Sequence, residues 1–156
     1  MKKSIEEFEN EFKSHPYWIC DNPDKEMVDF AEEFAKFLSN YGSYVSGAVA
    51  LTTSQLRKFF GAIKALKLQN EGKRKDDTNY FDESAFVMIL PKLAYAVGRQ
   101  KKNAKDAPCR IEDFKKIMDE AISLVLKSKD KPKAFKNFIS FFEAIVAYHK
   151  VYGKDK

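Results

Sequence analysis

Glycine and proline are scarce in this chain, 6 and 5 among 156 residues, about half of average usage. A sandwich or barrel spends both on many tight turns, so their scarcity argues against either architecture. Cysteine and histidine are scarcer still, at two each. Cys20 and Cys109 lie far apart without metal spacing and read as free thiols of a reducing cytosol. Two histidines and two cysteines do not assemble a buried zinc site here, so neither metal nor cofactor is expected. No run of 18 apolar residues exists to span a membrane. The opening Met1-Lys2-Lys3-Ser4-Ile5-Glu6-Glu7-Phe8-Glu9 has no apolar core of a secretory signal, so a cytoplasmic protein is expected. Phosphate-binding glycine-rich loops, nucleophile elbows and HExxH zinc motifs are missing too.

What is present is a globular composition, 44% hydrophobic and 33% charged. The length suits one domain that buries roughly 70% of its unfolded surface. Charge is unevenly spread. Residues 1–33 hold 4 basic and 10 acidic groups, net −6, so the rest carries +11. An acidic N-terminal arm on a basic body suggests a polyanionic partner, with a lysine-rich solubilising surface as the plain alternative.

Helical periodicity recurs along the chain. Ile5, Phe8 and Phe12 are at helical spacing in an acidic stretch that His15-Pro16 ends. Asn22-Pro23 predicts the next helix start, with Met27, Phe30, Phe34, Phe37 and Leu38 on one face and Gly42 as a stop. Residues 42–51 read as an extended linker. Thr52 to Gln55 fits a capping box opening a helix with Leu56, Phe59, Phe60, Ile63 and Leu66 inward. After the polar loop 72–79, which holds Asp76 and Asp77, Asp82 caps a helix that Pro91 kinks or breaks. Further helices begin after Pro108 and at Pro132, the last ending at Gly153. The expected fold is all-α: a compact bundle of about five helices over residues 21–156, with sequence neighbours packed antiparallel, behind a short acidic helical extension, residues 1–20.

No catalytic set stands out. His149 reads as exposed or interfacial, and Glu143 as the buried partner of a cation from another helix. An enzyme would need these two to converge in one pocket. The cations are more informative. At about 100° per residue, Arg57, Gly61 and Lys64 share an exposed stripe beside the apolar face. A glycine there either lets a phosphate backbone approach or lets a helix pack closely. A second cluster contains Arg99, Lys101, Lys102, Lys105 and Arg110; a third, Lys127 to Lys136, surrounds the last helix start. No aromatic interleaving of the kind that stacks bases is visible in these clusters. Backbone contact without base readout is therefore expected.

Three stretches, Leu51-Thr52-Thr53-Ser54-Gln55-Leu56-Arg57-Lys58, Leu93-Ala94-Tyr95-Ala96-Val97-Gly98-Arg99 and Phe142 to Gly153, resemble in that order the small subunit of the type III-A CRISPR effector, the Csm complex. The resemblance covers roughly residues 24–153. It implies a non-catalytic helical bundle stacked in several copies beside the backbone subunits that hold the CRISPR RNA. Such a subunit touches the guide–target RNA duplex through basic side chains and helps position the large subunit. Carried over by motif, Arg57, Lys58 and Arg99 would contact RNA, with Lys150 a further candidate. Lys64, Lys101, Lys102 and Lys136 join them on charge alone. Two other readings stay open: a helix-turn-helix DNA-binding protein using Thr52 to Leu66, and a protein-only adaptor that binds through the acidic arm.

Overall fold

The computed structural model describes residues 2–72 and 80–153. The loop predicted at 72–79, with Asp76 and Asp77, lies outside the described residues beyond Gly72. The described chain is all-α: α1 (Ile5–Lys13), α2 (Tyr17–Cys20), α3 (Lys25–Leu38), α4 (Thr53–Gly72), α5 (Glu83–Val87), α6 (Ile89–Asn103), α7 (Arg110–Lys127) and α8 (Lys131–Tyr152), with one 3-10 turn at Gly42–Tyr44.

Several ends follow local chemistry. Gln55 N–H donates to Thr52 Oγ1 at 3.1 Å and Thr52 N–H to Gln55 Oε1 at 2.9 Å, so the expected capping box opens α4. Ser4 and Glu7 make a second box at α1. Asp82 accepts from Ala85 N–H at 3.0 Å and caps α5. The break expected near Pro91 falls upstream of it, at Met88 between α5 and α6. Pro91 then sits in the first turn of α6, where no intrahelical N–H is needed.

Two ends differ from expectation. α3 starts with Asp24, not Asn22, as its cap; its carboxylate accepts from Met27 N–H at 3.0 Å. α3 stops before Gly42, at Leu38, with Asn40 in the left-handed region (φ 53°). Gly153 ends α8 with an extended backbone, φ −84°. It is required for space and not for φ, because a Cβ there would collide with the His149 ring. The linker 42–51 is tied down: Val49 pairs with Cys109 in a one-residue parallel bridge, and Leu51 N–H donates to Leu38 C=O at 2.9 Å. Cys20 and Cys109 are free, and burial pushes both thiols up.

Packing is set by two aromatic clusters on either side of an α7–α8 pair. Phe141 of α8 lies 5.1 Å from Phe12 and 6.0 Å from Phe30, so it faces α1 and α3. Phe142, one residue on, meets Phe60 of α4 at 5.3 Å and Phe114 of α7 at 5.6 Å. The first cluster adds Phe8, Trp18, Phe34, Phe37 and Tyr44. The second adds Phe59, Phe81, Phe86, Phe135 and Phe138. Among the described residues no ring pair links the two. The acidic extension is therefore no loose arm: Phe8, Phe12, Trp18 and Ile19 are fully buried, and α1 and α2 pack on α7 and α8.

The expected packing of sequence neighbours holds for α6 with α7 and for α7 with α8, but the most extensive pairing is long-range, α3 with α8. Asn137 near the start of α8 donates to the carbonyls of Ile19 and Asp21, just before α3. Tyr152 at the end of α8 donates to Glu32 at 2.6 Å and packs its ring at a tilt on Tyr41. These contacts run in the same order on both helices, so α3 and α8 lie parallel. The intervening helices supply the crossover that parallel neighbours require.

Candidate nucleic-acid interface

α4 packs on α8, and α6 on α7. Between α4 and α6 the surface opens into a groove of about 390 Å³, lined by Gln55, Lys58 and Phe59 of α4, by Tyr95, Ala96, Arg99, Gln100 and Asn103 of α6, and by Ile111. The two helices meet where Gln55 Nε2 donates to Gln100 Oε1 at 2.9 Å. The capping box holds Gln55 in place, because its Oε1 accepts from Thr52. On the other flank of α4 a second groove of about 310 Å³ runs along α8, lined by Phe60, Lys64, Lys67, Glu71, Lys136, Ile139, Ser140 and Glu143.

The cations singled out in the sequence separate accordingly. Lys58 and Arg99, from different motif stretches, share the α4–α6 groove. Lys64 and Lys136 share the α4–α8 groove, with Lys64 Nζ 5.5 Å from the Phe60 ring centre. Arg57 is exposed on the ridge of α4 between the two. Lys102 is exposed one turn beyond Arg99. Lys150 is exposed at the far end of α8 and lines neither groove. Among the described residues none of these seven has a carboxylate within 4 Å. Lys101 differs, since its ammonium is 3.3 Å from Glu112 and points toward α7.

Arg110, part of the second basic cluster in sequence, is not available either. Its guanidinium lies over the Phe37 ring at 3.9 Å and donates to Asn40, Ser46 and Asp113. It clamps the linker to the end of α3. Burial raises the Asp113 carboxyl above its ordinary range, and Arg110 opposes that shift.

Gly61 has open space where a Cβ would stand, with nothing within 4 Å. Close packing of a neighbouring helix within the chain therefore does not explain it. Gly61 still costs α4 about 1 kcal/mol relative to alanine.

Two sequence readings are corrected. His149 is fully buried. Its Nε2 donates to Leu51 C=O at 2.8 Å, leaving Nδ1 without a partner among the described residues. Burial pushes its pKa below the ordinary value. Glu143 is exposed and makes no ion pair among the described residues. The two do not share a pocket. His15, just beyond α1, stacks on Trp18 at 4.3 Å.

Sequence reasoning missed Tyr95, Gln100, Asn103 and Lys67. Lys67 follows Lys64 by three residues, a spacing that signals one helix face. Tyr95 precedes Arg99 by four, so ring and guanidinium share a stripe of α6.

The three motif stretches converge in space. The first forms the cap and opening turns of α4, the second borders the same groove from α6, and the third returns through the His149–Leu51 hydrogen bond. α3 and α4 are joined by 14 residues that include a pinned bridge, and a helix-turn-helix joins its pair by a turn of three or four. No helix among the described residues is long and apolar enough to cross a membrane.

No curated protein and no solved structure matches the chain. A family model, Csm2 Type III-A, matches residues 21–155, which takes in all three motif stretches and both grooves. The chain therefore belongs to the Csm2 Type III-A family, that of the small subunit of the type III-A Csm complex.

Proposed function

We propose that this chain is a non-catalytic cytoplasmic subunit of a type III-A CRISPR effector that stacks in several copies along the guide–target RNA duplex. It contacts the phosphate backbone through Arg57, Lys58, Lys64, Arg99, Lys102 and Lys136, with Lys150 reaching RNA or a neighbouring subunit. The observation that carries this reading is the set of cations on α4 and α6 left without carboxylate partners among the described residues, beside two grooves. Lys101 leaves the set, because Glu112 holds it.

The chemistry is that of positioning. Lysine and arginine neutralise phosphates and release condensed counterions, so affinity falls steeply with salt. Sequence is read by base pairing between guide and target, and this subunit adds contacts indifferent to it. A single copy contributes few contacts, so the free chain binds weakly and repeated copies supply avidity. Its other partners are the backbone and large subunits of the Csm complex and further copies of itself.

The test is affinity purification of the tagged chain from its native host, with mass spectrometry and sequencing of the bound RNA. Recovery of repeat-derived guide RNA with the other Csm subunits is the expected result. Recovery of the chain with neither would overturn the assignment, and recovery with protein partners but no RNA would favour the adaptor reading.

A further inference from the structure

Tyr95 is 72% exposed, which is unusual for so large a ring in the middle of a helix. It stands at the mouth of the α4–α6 groove, one turn before Arg99 and two before Asn103. The groove floor is apolar, made of Phe59 and the buried Ile111. Its walls carry two cations, Lys58 and Arg99, and three carboxamides, Gln55, Gln100 and Asn103. The Gln100 oxygen is taken by Gln55, so its NH₂ remains to donate. Among the described residues no carboxylate lines this groove, although the chain has 23 acidic residues. The α4–α8 groove, by contrast, holds Glu71 and Glu143.

A site that is cationic, free of carboxylates, floored by apolar carbon, edged by amides and fronted by an exposed ring selects a particular ligand. It suits a planar anion with hydrogen-bonding edges. We infer that the α4–α6 groove seats one unpaired RNA nucleotide. The base stacks on Tyr95, Arg99 and Lys58 hold the flanking phosphates, and Gln100 and Asn103 meet the base edge. Every base has a π face, so the seat is tolerant of sequence. The inference rests on the reading of Arg99 and Lys58 as phosphate contacts and adds a base to it. It also revises the expectation of no aromatic stacking, because folding brings Tyr95 of α6 beside Lys58 of α4.

The test uses the full chain at low salt and three RNA duplexes of one sequence. One carries a single unpaired 2-aminopurine, one an abasic nucleotide at that position, and one is fully paired. Binding is followed by 2-aminopurine fluorescence and by a competition titration. The expected result is quenching on binding, with the base-bearing bulge preferred over the abasic one by about fivefold or more, the low end of base–aromatic stacking. Tyr95→Ala should abolish that preference, Tyr95→Phe should keep it, and Arg99→Ala should weaken both bulged probes alike. Equal affinity of the native chain for base-bearing and abasic probes, with Arg99→Ala still weakening both, would overturn the nucleotide seat and leave the phosphate reading intact. No effect of Arg99→Ala on any probe would overturn both.

Discussion

The two layers that flank α7 and α8 handle charge in opposite ways. In the N-terminal layer Lys3, Lys13, Lys25 and Lys36 each meet a carboxylate, of Glu11, Glu120, Asp29 and Glu33. Glu32 and Glu33 each accept from a tyrosine hydroxyl at 2.6 Å. In the α4–α6 layer Lys101 meets Glu112, but Arg57, Lys58, Lys64, Arg99 and Lys102 meet no carboxylate among the described residues. Both layers rest on aromatic clusters of similar make, so the cores do not explain the difference. Exposed ion pairs are individually worth about 0–1 kcal/mol, so stability is a weak reason to pair or to leave unpaired. Cations kept together and free of acids are explained better by a partner outside the chain. On the proposed function, the N-terminal layer serves the fold and the α4–α6 layer serves a ligand.

The sharpest way to break this comparison is to remove the inner side of the N-terminal layer. Deleting residues 1–20 strips Phe8, Phe12, Trp18 and Ile19 from the core. Each buried aromatic lost costs about 3–5 kcal/mol, against a total stability of about 5–15 kcal/mol. Loss of the cooperative unfolding transition is expected in circular dichroism, and a stable truncated bundle would show the layer to be dispensable. Phe141→Ala is the milder form, with a loss of about 3–5 kcal/mol in urea unfolding.

The reverse pattern is expected from Arg57→Ala combined with Arg99→Ala. Stability should stay within about 0.5 kcal/mol of the native chain, as for exposed positions. RNA affinity should fall equally for unrelated target sequences, and unequal losses would mean base readout.

A fourth variant probes the joint between the layers. The ordinary imidazole pKa is 6.5, and burial pushes that of His149 below it. Below pH 6.5 the unfolded chain takes up a proton that the folded chain refuses, so His149 makes stability fall as pH drops from 7 toward 5. The slope from one such group is at most about 1.4 kcal/mol per pH unit. His149→Gln keeps a donor for Leu51 C=O and should flatten the dependence of thermal stability on pH. An unchanged slope would place the proton uptake elsewhere.

The smallest expected effect has two signs. Gly61→Ala should stabilise α4 by up to about 1 kcal/mol, because the new methyl enters open space. The same methyl stands between Arg57 and Lys64 and should weaken RNA binding. A stabilised variant with unchanged affinity would mean that no backbone approaches there.

Helix identity was legible because it is local. The capping box at Thr52 and Gln55, the Asp82 cap and the apolar spacing of α4 all act within one turn or two. His149 was misplaced because α8 carries Phe141 to one layer and Phe142 to the other. His149 follows Phe138, Phe142 and Ile145 at helical spacing on the buried side of α8, while Lys136, Ser140, Glu143 and Lys150 form its exposed stripe. The cations Lys58 and Arg99 were legible from composition and motif, but their shared groove was not. It depends on how α4 and α6 seat on α8 and α7, which no periodicity encodes. For the same reason Arg110 and Lys101 looked like free cations in the sequence. Their partners Asn40 and Ser46, for Arg110, and Glu112, for Lys101, are supplied by folding.

The most direct test of an interface made of unpaired cations is the salt dependence of RNA duplex binding. Affinity of the native chain and of the Arg57→Ala, Arg99→Ala double variant would be titrated on two duplexes of unrelated sequence. A linear fall of log affinity with log salt, the same for both sequences, is expected, with the slope shallower by about two in the double variant. A slope unchanged by the two substitutions, or one that differs between the sequences, would contradict phosphate contact through α4 and α6.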